Sequence, residues 1–409
     1  MKACMMAAAA LLAGAASAAG PEVCGVTVSQ DEASRWITVG YALSNEAAIV
    51  TFEAYTNGVP LVDEALTTAY GDVWRRVEPG EGRQIRWQPR SVFPHRIVAD
   101  GSVTVKVRAW SLDNPPDYMV VDLMMPSNRW WYATAGQVPY GVTGKYYKTG
   151  SLVMRRIHAT GVRWQMGKLD NEQYGQSYDV QHTVMLTKDY YMGIYKVTGG
   201  QYTWVMNSKG DGVATPKQHA CYDSVRGLAP TYDWPTTEDK VDPDKFIGKL
   251  RARTGIDTFD LPTEAQWEFA IRAGTTDSLC GAATIGEIAW LNDSSVDWTA
   301  HGASGSMGIQ VVGLLKPNAW GIYDPLGNGF ECCLDYSSKG DDYAKKGELK
   351  VDPVGPVSNA SGYRVVRSGS YAHSLSQSCS RPAYRNIDTV SSWSSEYTTF
   401  RVICGASFR

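Results

Sequence analysis

The sequence has no excess of basic residues and, beyond its first twenty positions, no long hydrophobic run. It carries 39 Lys and Arg against 42 Asp and Glu, a net charge of −3, and its isoelectric point is near 6.1. This balance offers no basic surface for phosphates and argues against nucleic acid as a partner. A membrane-spanning helix needs about 20 apolar residues. We therefore expect no membrane span.

Several catalytic and metal-binding patterns are also missing. There is no Gly-x-Ser-x-Gly elbow and no phosphate-binding loop of the P-loop type, so serine hydrolysis and nucleotide binding have no local support. The six histidines do not fall at the spacings of zinc sites. They lie at positions 95, 158, 182, 219, 301 and 373.

Aromatic residues and glycine are abundant. The 409 residues include 14 Trp, 23 Tyr and 40 Gly, which favours a loop-rich fold held by large side chains over a helical bundle. The length exceeds that of one ordinary domain and is sufficient for two, each with its own core.

The first 18 residues have the pattern of a secretory signal. A basic Lys2 precedes an apolar run to Gly14, and Ala16-Ser-Ala18 supplies small residues for cleavage after Ala18. This predicts a secreted or periplasmic protein. Removal of Cys4 leaves seven cysteines, of which some should pair in an oxidising compartment while an odd count leaves at least one free.

Short runs that alternate apolar and polar residues predict an all-β unit over residues 22–125. Three of these runs, Trp36–Leu43, Ile49–Tyr55 and Val103–Trp110, indicate strands, and Asn57-Gly58 indicates a hairpin turn. We interpret this unit as a small immunoglobulin- or fibronectin-like β-sandwich, with a possible last strand at Tyr118–Met124. Residues 126–151 are predicted to be a linker, and residues 152–409 a second domain.

Two helix starts in the second domain have a physical basis. Asp242 followed by Pro243 predicts an N-cap and a first helical residue. Thr263 with Gln266 predicts a capping box. Within that helix Glu264 is predicted to be structural because the helix dipole favours a carboxylate in the first turn, and Glu268 is predicted to face solvent.

The second domain resembles the formylglycine-generating enzyme (sulfatase-modifying factor) family. The resemblance can be followed from Val153 to Arg409, and its elements occur in the family's order. Its most specific segments are Leu261-Pro-Thr-Glu-Ala-Gln-Trp267, Gly327-Asn-Gly-Phe-Glu331 and Arg367-Ser-Gly-Ser-Tyr371.

This resemblance implies an irregular α+β domain of C-type-lectin-like fold that often contains calcium. Members coordinate the ion through the positions that match Asp324, Gly327, Gly329 and Glu331, and each of these positions offers an oxygen. Carboxylates and backbone carbonyls are ligands that calcium prefers. The alternative is a glycine turn capped by Asp324, with Glu331 in an ion pair.

The resemblance is weaker at the oxidase site. Members that oxidise a sulfatase cysteine bind copper through two cysteines that follow the Gly-Ser-Tyr motif, a pairing that suits Cu(I). Here His373 stands at the first of these positions and Cys379 lies near the second. The family's residues are also replaced at Phe330, Cys332 and Lys196. Because the fold would bring both segments to the cleft, a Cys333–Cys379 disulfide is a further hypothesis.

Two functions remain open on this reading. One is a calcium-stabilised recognition or scaffolding module that binds a protein or carbohydrate outside the cytoplasm, for which no catalytic residue is predicted. The other is a sulfatase-maturing oxidase that uses copper at His373 and Cys379 and acts on a sulfatase polypeptide.

Overall fold

The computed structural model describes the greater part of the chain. The ranges are 20–89, 102–125, 128–170, 172, 175, 179–208, 212–227, 240–292, 298–299, 308–337, 346–356, 362–374, 379–390 and 392–409. The predicted signal peptide and two of the six histidines, His95 and His301, lie outside these residues.

The N-terminal unit consists of two antiparallel sheets. Its strands are β1 (Glu22–Gln30), β2 (Ile37–Ser44), β3 (Ala48–Thr56), β4 (Val59–Pro60), β5 (Tyr70–Gly71), β6 (Arg76–Val77), β7 (Gly80–Trp87) and β8 (Val103–Ser111). One sheet has the order β1-β2-β7-β5, and in the other β3 pairs with β4, β6 and β8. The three strands predicted from alternation are confirmed as β2, β3 and β8.

Alternate residues of these strands form the sandwich core. Along β2, buried positions alternate with half-buried ones, as expected for a strand with one face on a core. Phe52 packs against Trp74 and Trp87 with ring centroids 5.5 and 5.7 Å apart. The predicted turn is also confirmed, since Asn57 and Gly58 have φ angles of 50° and 77° and join the antiparallel β3 and β4.

The predicted boundary between the two units is wrong. The strand assigned to the end of the sandwich, β9 (Tyr118–Asp122), pairs instead with β11 (Ser151–Ile157) of the second unit. The predicted linker contains β10 (Arg129–Tyr132), which pairs with β9, and helix α1 (Lys145–Thr149). Alternation identified β9 as a strand, but a strand's pairing partner cannot be read from its own sequence.

The second unit is built around this sheet, whose order is β10-β9-β11-β14-β22. Its remaining strands are β12 (Arg163–Met166), β13 (His182–Met185), β14 (Tyr190–Gly193), β15 (Ala289–Trp290), β16 (Leu326–Gly327), β17 (Phe330–Tyr336), β18 (Leu349–Val351), β19 (Tyr363–Arg367), β20 (Asn386–Val390), β21 (Thr398–Thr399) and β22 (Ile403–Gly405). Its other helices are α2 (Gly199–Met206), α3 (Tyr222–Val225), α4 (Phe246–Thr254) and α5 (Glu264–Arg272). The sheet-rich, helix-poor arrangement confirms the predicted α+β class. No helix among the described residues is both long and apolar enough to cross a bilayer.

The two predicted helix starts differ in outcome. Thr263 caps α5 as predicted: its hydroxyl accepts from the Gln266 N–H at 3.2 Å, and the Gln266 side chain accepts from the Thr263 N–H at 2.9 Å. The start predicted at Asp242 is wrong. Asp242 instead accepts from the Asp244 N–H at 2.9 Å in a turn, and α4 begins four residues after Asp242, at Phe246, without a side-chain cap.

The central sheet separates two buried cores. On β11, Val153 and Ile157 face one core, which continues into the N-terminal sandwich, while Leu152 and Met154 face the other. The adjacent cysteines of β17 follow the same alternation, because Cys333 lies in the first core and Cys332 in the second. The two units therefore share a continuous hydrophobic core.

The α5 cap provides a test of the local structure. We expect Thr263→Ala to lower the free energy of unfolding by about 1 kcal/mol, because the Gln266 N–H loses its acceptor. Thr104→Ala, on the exposed face of β8, is the matched control. Urea denaturation that shows equal losses for the two variants would contradict the assignment of the cap.

Candidate functional site

A buried carboxylate, Glu331, lies at the start of β17. One of its oxygens, Oε1, accepts from the Lys196 ammonium and from the Arg401 guanidinium, the latter at 3.1 Å. The other, Oε2, accepts from Arg401 at 3.1 Å and from the Trp267 indole at 2.9 Å. Trp267 belongs to α5 and Arg401 lies just before β22, so these contacts join distant parts of the chain.

This cluster is charged although it is fully buried. Burial opposes ionisation of Glu331, but Arg401 and Lys196 outweigh it and lower the pKa of Glu331 to about 2. Burial also lowers the pKa of Lys196, against the opposing effect of Glu331. The permanent guanidinium of Arg401 is therefore the charge that keeps the carboxylate ionised.

The other predicted calcium ligands lie in the turn before β17. One Asp324 oxygen accepts from the Gly313 N–H at 2.9 Å, and the other has no hydrogen bond within the described residues. The Gly327 carbonyl accepts from the Gly329 N–H at 2.7 Å and from the Ser368 hydroxyl at 3.3 Å. Gly327 has a φ of +72°, and a Cβ there would lie 2.3 Å from the Trp290 carbonyl, so glycine is required.

These residues do not fit a calcium ion in the arrangement described. Both oxygens of Glu331 are already bound by cations and the Trp267 indole, and the Lys196 ammonium also binds the Ser368 hydroxyl at 3.0 Å. Burial raises the pKa of Asp324, with the Gly313 N–H opposing the shift, which disfavours the ionised form that calcium needs. The calcium site stays a prediction, and we assign it no role.

A second buried network surrounds the first turns of α5. Arg385 binds Glu264 through two contacts of 2.5 and 2.8 Å, and Arg367 lies 2.9 Å from the same carboxylate. Arg367 also binds Glu268, at 2.6 Å. Glu264 is thus structural, as predicted. The exposed position predicted for Glu268 is wrong: its side chain is fully buried and also binds Arg272 at 2.8 Å.

Asp335 is the unbalanced acid of this network. Its carboxylate accepts from the Glu264 N–H at 2.6 Å, but the neighbouring charge that acts on it most strongly is that of the Glu264 carboxylate. Burial, reinforced by the negative charge of Glu264, raises the pKa of Asp335 to about 8. No sequence pattern had marked this residue.

The two candidate oxidase residues lie beside β17. The His373 Nδ1 is 2.6 Å from the Ser370 hydroxyl, and its ring contacts Phe330 edge-on at 5.0 Å between centroids. Burial lowers the pKa of His373 and raises that of the Cys379 thiol. The chain between them, residues 375–378, lies outside the described residues.

The predicted Cys333–Cys379 disulfide is not present in the structure, where Cys333 is a thiol. Cys333 points into the first core, and burial raises its pKa well above the usual value. Cys332 points the other way and donates to the Ala220 carbonyl at 3.4 Å. The prediction was based on the cleft position that the resemblance implied. The sequence could not show that the Cys333 side chain points into the core.

An open groove of about 720 Å³ lies on the second unit. Tyr202, Lys217, Gln218 and His219 are among the residues that line it. Gln218 connects it to the following loops, because its amide donates to the Glu396 carbonyl at 2.6 Å and also contacts Tyr371. The residues that line it come from one stretch of the chain, 199–219, in which no sequence pattern had indicated a groove.

Comparison with known proteins places the second unit. The family model described as "Sulfatase-modifying factor enzyme 1-like domain" matches residues 148–406. A formylglycine-generating enzyme of Thermomonospora curvata is 31% identical over 155 residues, which cover 34% of this chain and 48% of that protein. The chaperone protein LppX of Paenibacillus barcinonensis is 27% identical over 177 residues, 37% of this chain and 63% of the relative. The chain thus spans about half the length of the first relative and less than two thirds of the second.

Among solved structures, the Treponema denticola variable protein 1 is 22% identical with a TM-score of 0.47. The match covers 62% of this chain and 95% of that one. PvdO from Pseudomonas aeruginosa is 19% identical with the same TM-score of 0.47, and covers 62% of this chain and 94% of its own.

Asp335 predicts a specific pH dependence of stability. The folded state holds a proton that the unfolded chain releases near pH 4, so stability is greatest below pH 4 and falls as the pH rises toward 8. Asp335→Asn should remove this contribution, because Asn resembles the protonated acid. As the pH rises from 4 to 8, we expect the melting temperature of the parent protein to fall relative to that of the variant. A constant difference across this range would contradict the raised pKa.

Calcium can be tested directly. Because Lys196 and Arg401 already neutralise Glu331, we expect the melting temperature to be unchanged when calcium is exchanged for a chelator. A higher melting temperature in calcium that is lost in Glu331→Gln would show that the ion displaces these contacts.

Proposed function

Because the chain belongs to the sulfatase-modifying factor enzyme 1-like domain family, whose model matches more than half of it, we propose that it is a recognition or scaffolding module built on that fold. The single observation that carries this proposal is the loss of one of the two thiols that the resemblance associates with copper oxidation. The segment Arg367–Arg381 contains one cysteine, Cys379, and has His373 where the other is expected.

The environment of the two side chains supports the same view. The Nδ1 atom of His373 is engaged by Ser370, so only its other ring nitrogen is available to a ligand. The thiolate is the metal-binding form of cysteine. Because burial raises the pKa of Cys379, that form is disfavoured at neutral pH.

A recognition role has a surface to use. Tyr371, His373 and Tyr397 form edge-on ring contacts, with centroid distances of 5.5 Å for Tyr371–Tyr397 and 6.0 Å for His373–Tyr397. Trp393, half-buried, lies 6.3 Å from Phe330 at the same place. Clustered aromatic rings beside an open groove are typical of sites that bind a protein or carbohydrate.

The proposed setting is outside the cytoplasm. It depends on the signal-like residues 1–18 and cleavage after Ala18, and N-terminal sequencing of the mature protein would test it. The proposed ligand is a protein or carbohydrate in that compartment. The competing function, oxidation of a sulfatase cysteine with copper, is supported by the similarity to named formylglycine-generating enzymes.

An oxidation assay separates the two functions, because only the oxidase converts the sulfatase cysteine to an aldehyde. The protein is incubated with Cu(I), oxygen and a peptide that carries the sulfatase Cys-x-Pro-x-Arg motif, and mass spectrometry follows conversion of the cysteine to an aldehyde. We expect no product, because one thiol and a hindered imidazole do not form a two-sulfur site. The Thermomonospora curvata enzyme serves as positive control. Product that disappears in Cys379→Ser would refute the recognition-only proposal.

A gain-of-ligand variant sharpens the test. His373→Cys places a second thiol at the expected position, and we expect its affinity for Cu(I), measured by competition with a chromogenic chelator, to exceed that of the parent protein by at least about tenfold. His373→Ser is the matched control. Equal affinity in all three proteins would show that the segment does not bring the two positions together.

A further inference from the structure

A second cavity lies where the N-terminal sandwich meets β10 and α1. Its volume is about 660 Å³, within the range of small-molecule sites. Seven of its sixteen lining residues are aromatic. They are Tyr70, Trp74, Trp130, Tyr132, Tyr140, Tyr146 and Tyr147.

Two of these rings are carried by backbone in an unfavourable conformation. Trp74 and Tyr140 have φ angles of +62° and +64°, a left-handed region that bulky residues rarely adopt. Trp74 is held there by hydrogen bonds of its N–H to the Val50 carbonyl at 2.7 Å and of its carbonyl to the Trp131 N–H at 2.8 Å. Such conformations are strained, and they cluster at ligand sites.

The cavity also offers polar atoms to a ligand. The Tyr132 hydroxyl and the Trp74 indole N–H make no hydrogen bond within the described residues, and both atoms keep accessible surface although their side chains are only 5% and 4% exposed. Two nearby aromatics differ, because the Trp87 indole donates to the Ala65 carbonyl at 2.7 Å and the Tyr147 hydroxyl donates to the Pro139 carbonyl at 2.8 Å. A ligand in the cavity can therefore place acceptors against the hydroxyl and the indole.

The rim of the cavity carries positive charge. Lys145, at the start of α1, is exposed and has no ion pair within the described part of the chain. Arg75, the other cation on the lining, is paired with Asp72 at 3.1 Å. Tyr140 stands at the same rim with 96% of its surface exposed, so its ring has room to pack on a bound ligand.

We propose that this cavity binds a flat aromatic anion, whose rings lie among the aromatic walls, whose acceptor atoms meet the Trp74 indole and the Tyr132 hydroxyl, and whose charge pairs with Lys145. A neutral apolar ligand would form no ion pair with Lys145, and a small inorganic anion would not pack against the aromatic rings. This site is independent of the proposed recognition surface and does not rest on it.

Two fluorescent probes test the proposal on the intact protein. 1-Anilinonaphthalene-8-sulfonate has a flat ring system and an anionic group, and N-phenyl-1-naphthylamine has the same rings without the charge. We expect saturable binding of the sulfonate to the folded protein. Lys145→Gln should weaken the sulfonate by about fivefold to tenfold and leave the neutral probe unchanged, while Tyr132→Phe should weaken the sulfonate by a similar factor.

Trp204→Ala, which removes a partly exposed ring from α2, is the control and should bind both probes as the parent protein does. Circular dichroism verifies that each variant is folded. Sulfonate affinity within twofold of the parent in both Lys145→Gln and Tyr132→Phe would overturn the proposal. So would fluorescence that appears only when the protein unfolds.

Discussion

The buried ion cluster at Glu331 is the constraint on which the second unit depends. Its three donors come from separate places: Lys196 follows β14, Trp267 is in α5, and Arg401 precedes β22. A carboxylate stripped of water is tolerated only when such partners replace the solvent, and loss of one partner leaves an uncompensated charge. The cluster therefore specifies how these segments meet, in a fold whose helices are few and whose strands are mostly short.

The same cluster limits the chemistry of the turn before β17. Glu331 can serve either as an ion-pair partner or as a metal ligand, and in the structure its oxygens are taken by protein donors. The Lys196 ammonium and the Arg401 guanidinium occupy these oxygens, so protein cations take the place at Glu331 that a bound ion would need.

Local features of this protein could be predicted from its sequence, and long-range ones could not. The α5 cap and the alternation of β2 depend on neighbouring residues, so Thr263 and its partner could be identified directly. The position of Glu268 could not, because its partners Arg367 and Gly167 are about a hundred positions away. The aromatic cavity was missed for the same reason, because its lining residues run from Thr67 to Tyr147. The resemblance identified the family, while the fate of each matched residue depended on contacts outside the motifs.

The strands β9 and β10 have a consequence for how the protein can be divided. They lie before residue 148, where the family match begins, yet β9 pairs along β11 and completes that side of the sheet. A fragment that begins at residue 148 would leave the β11 edge with unpaired backbone groups. It would also remove Val120 from the first core and Val121 from the second, and so expose the residues that pack against them. Exposed edges of this kind pair with other chains and promote aggregation. The smallest soluble form of the second unit should therefore begin before Tyr118.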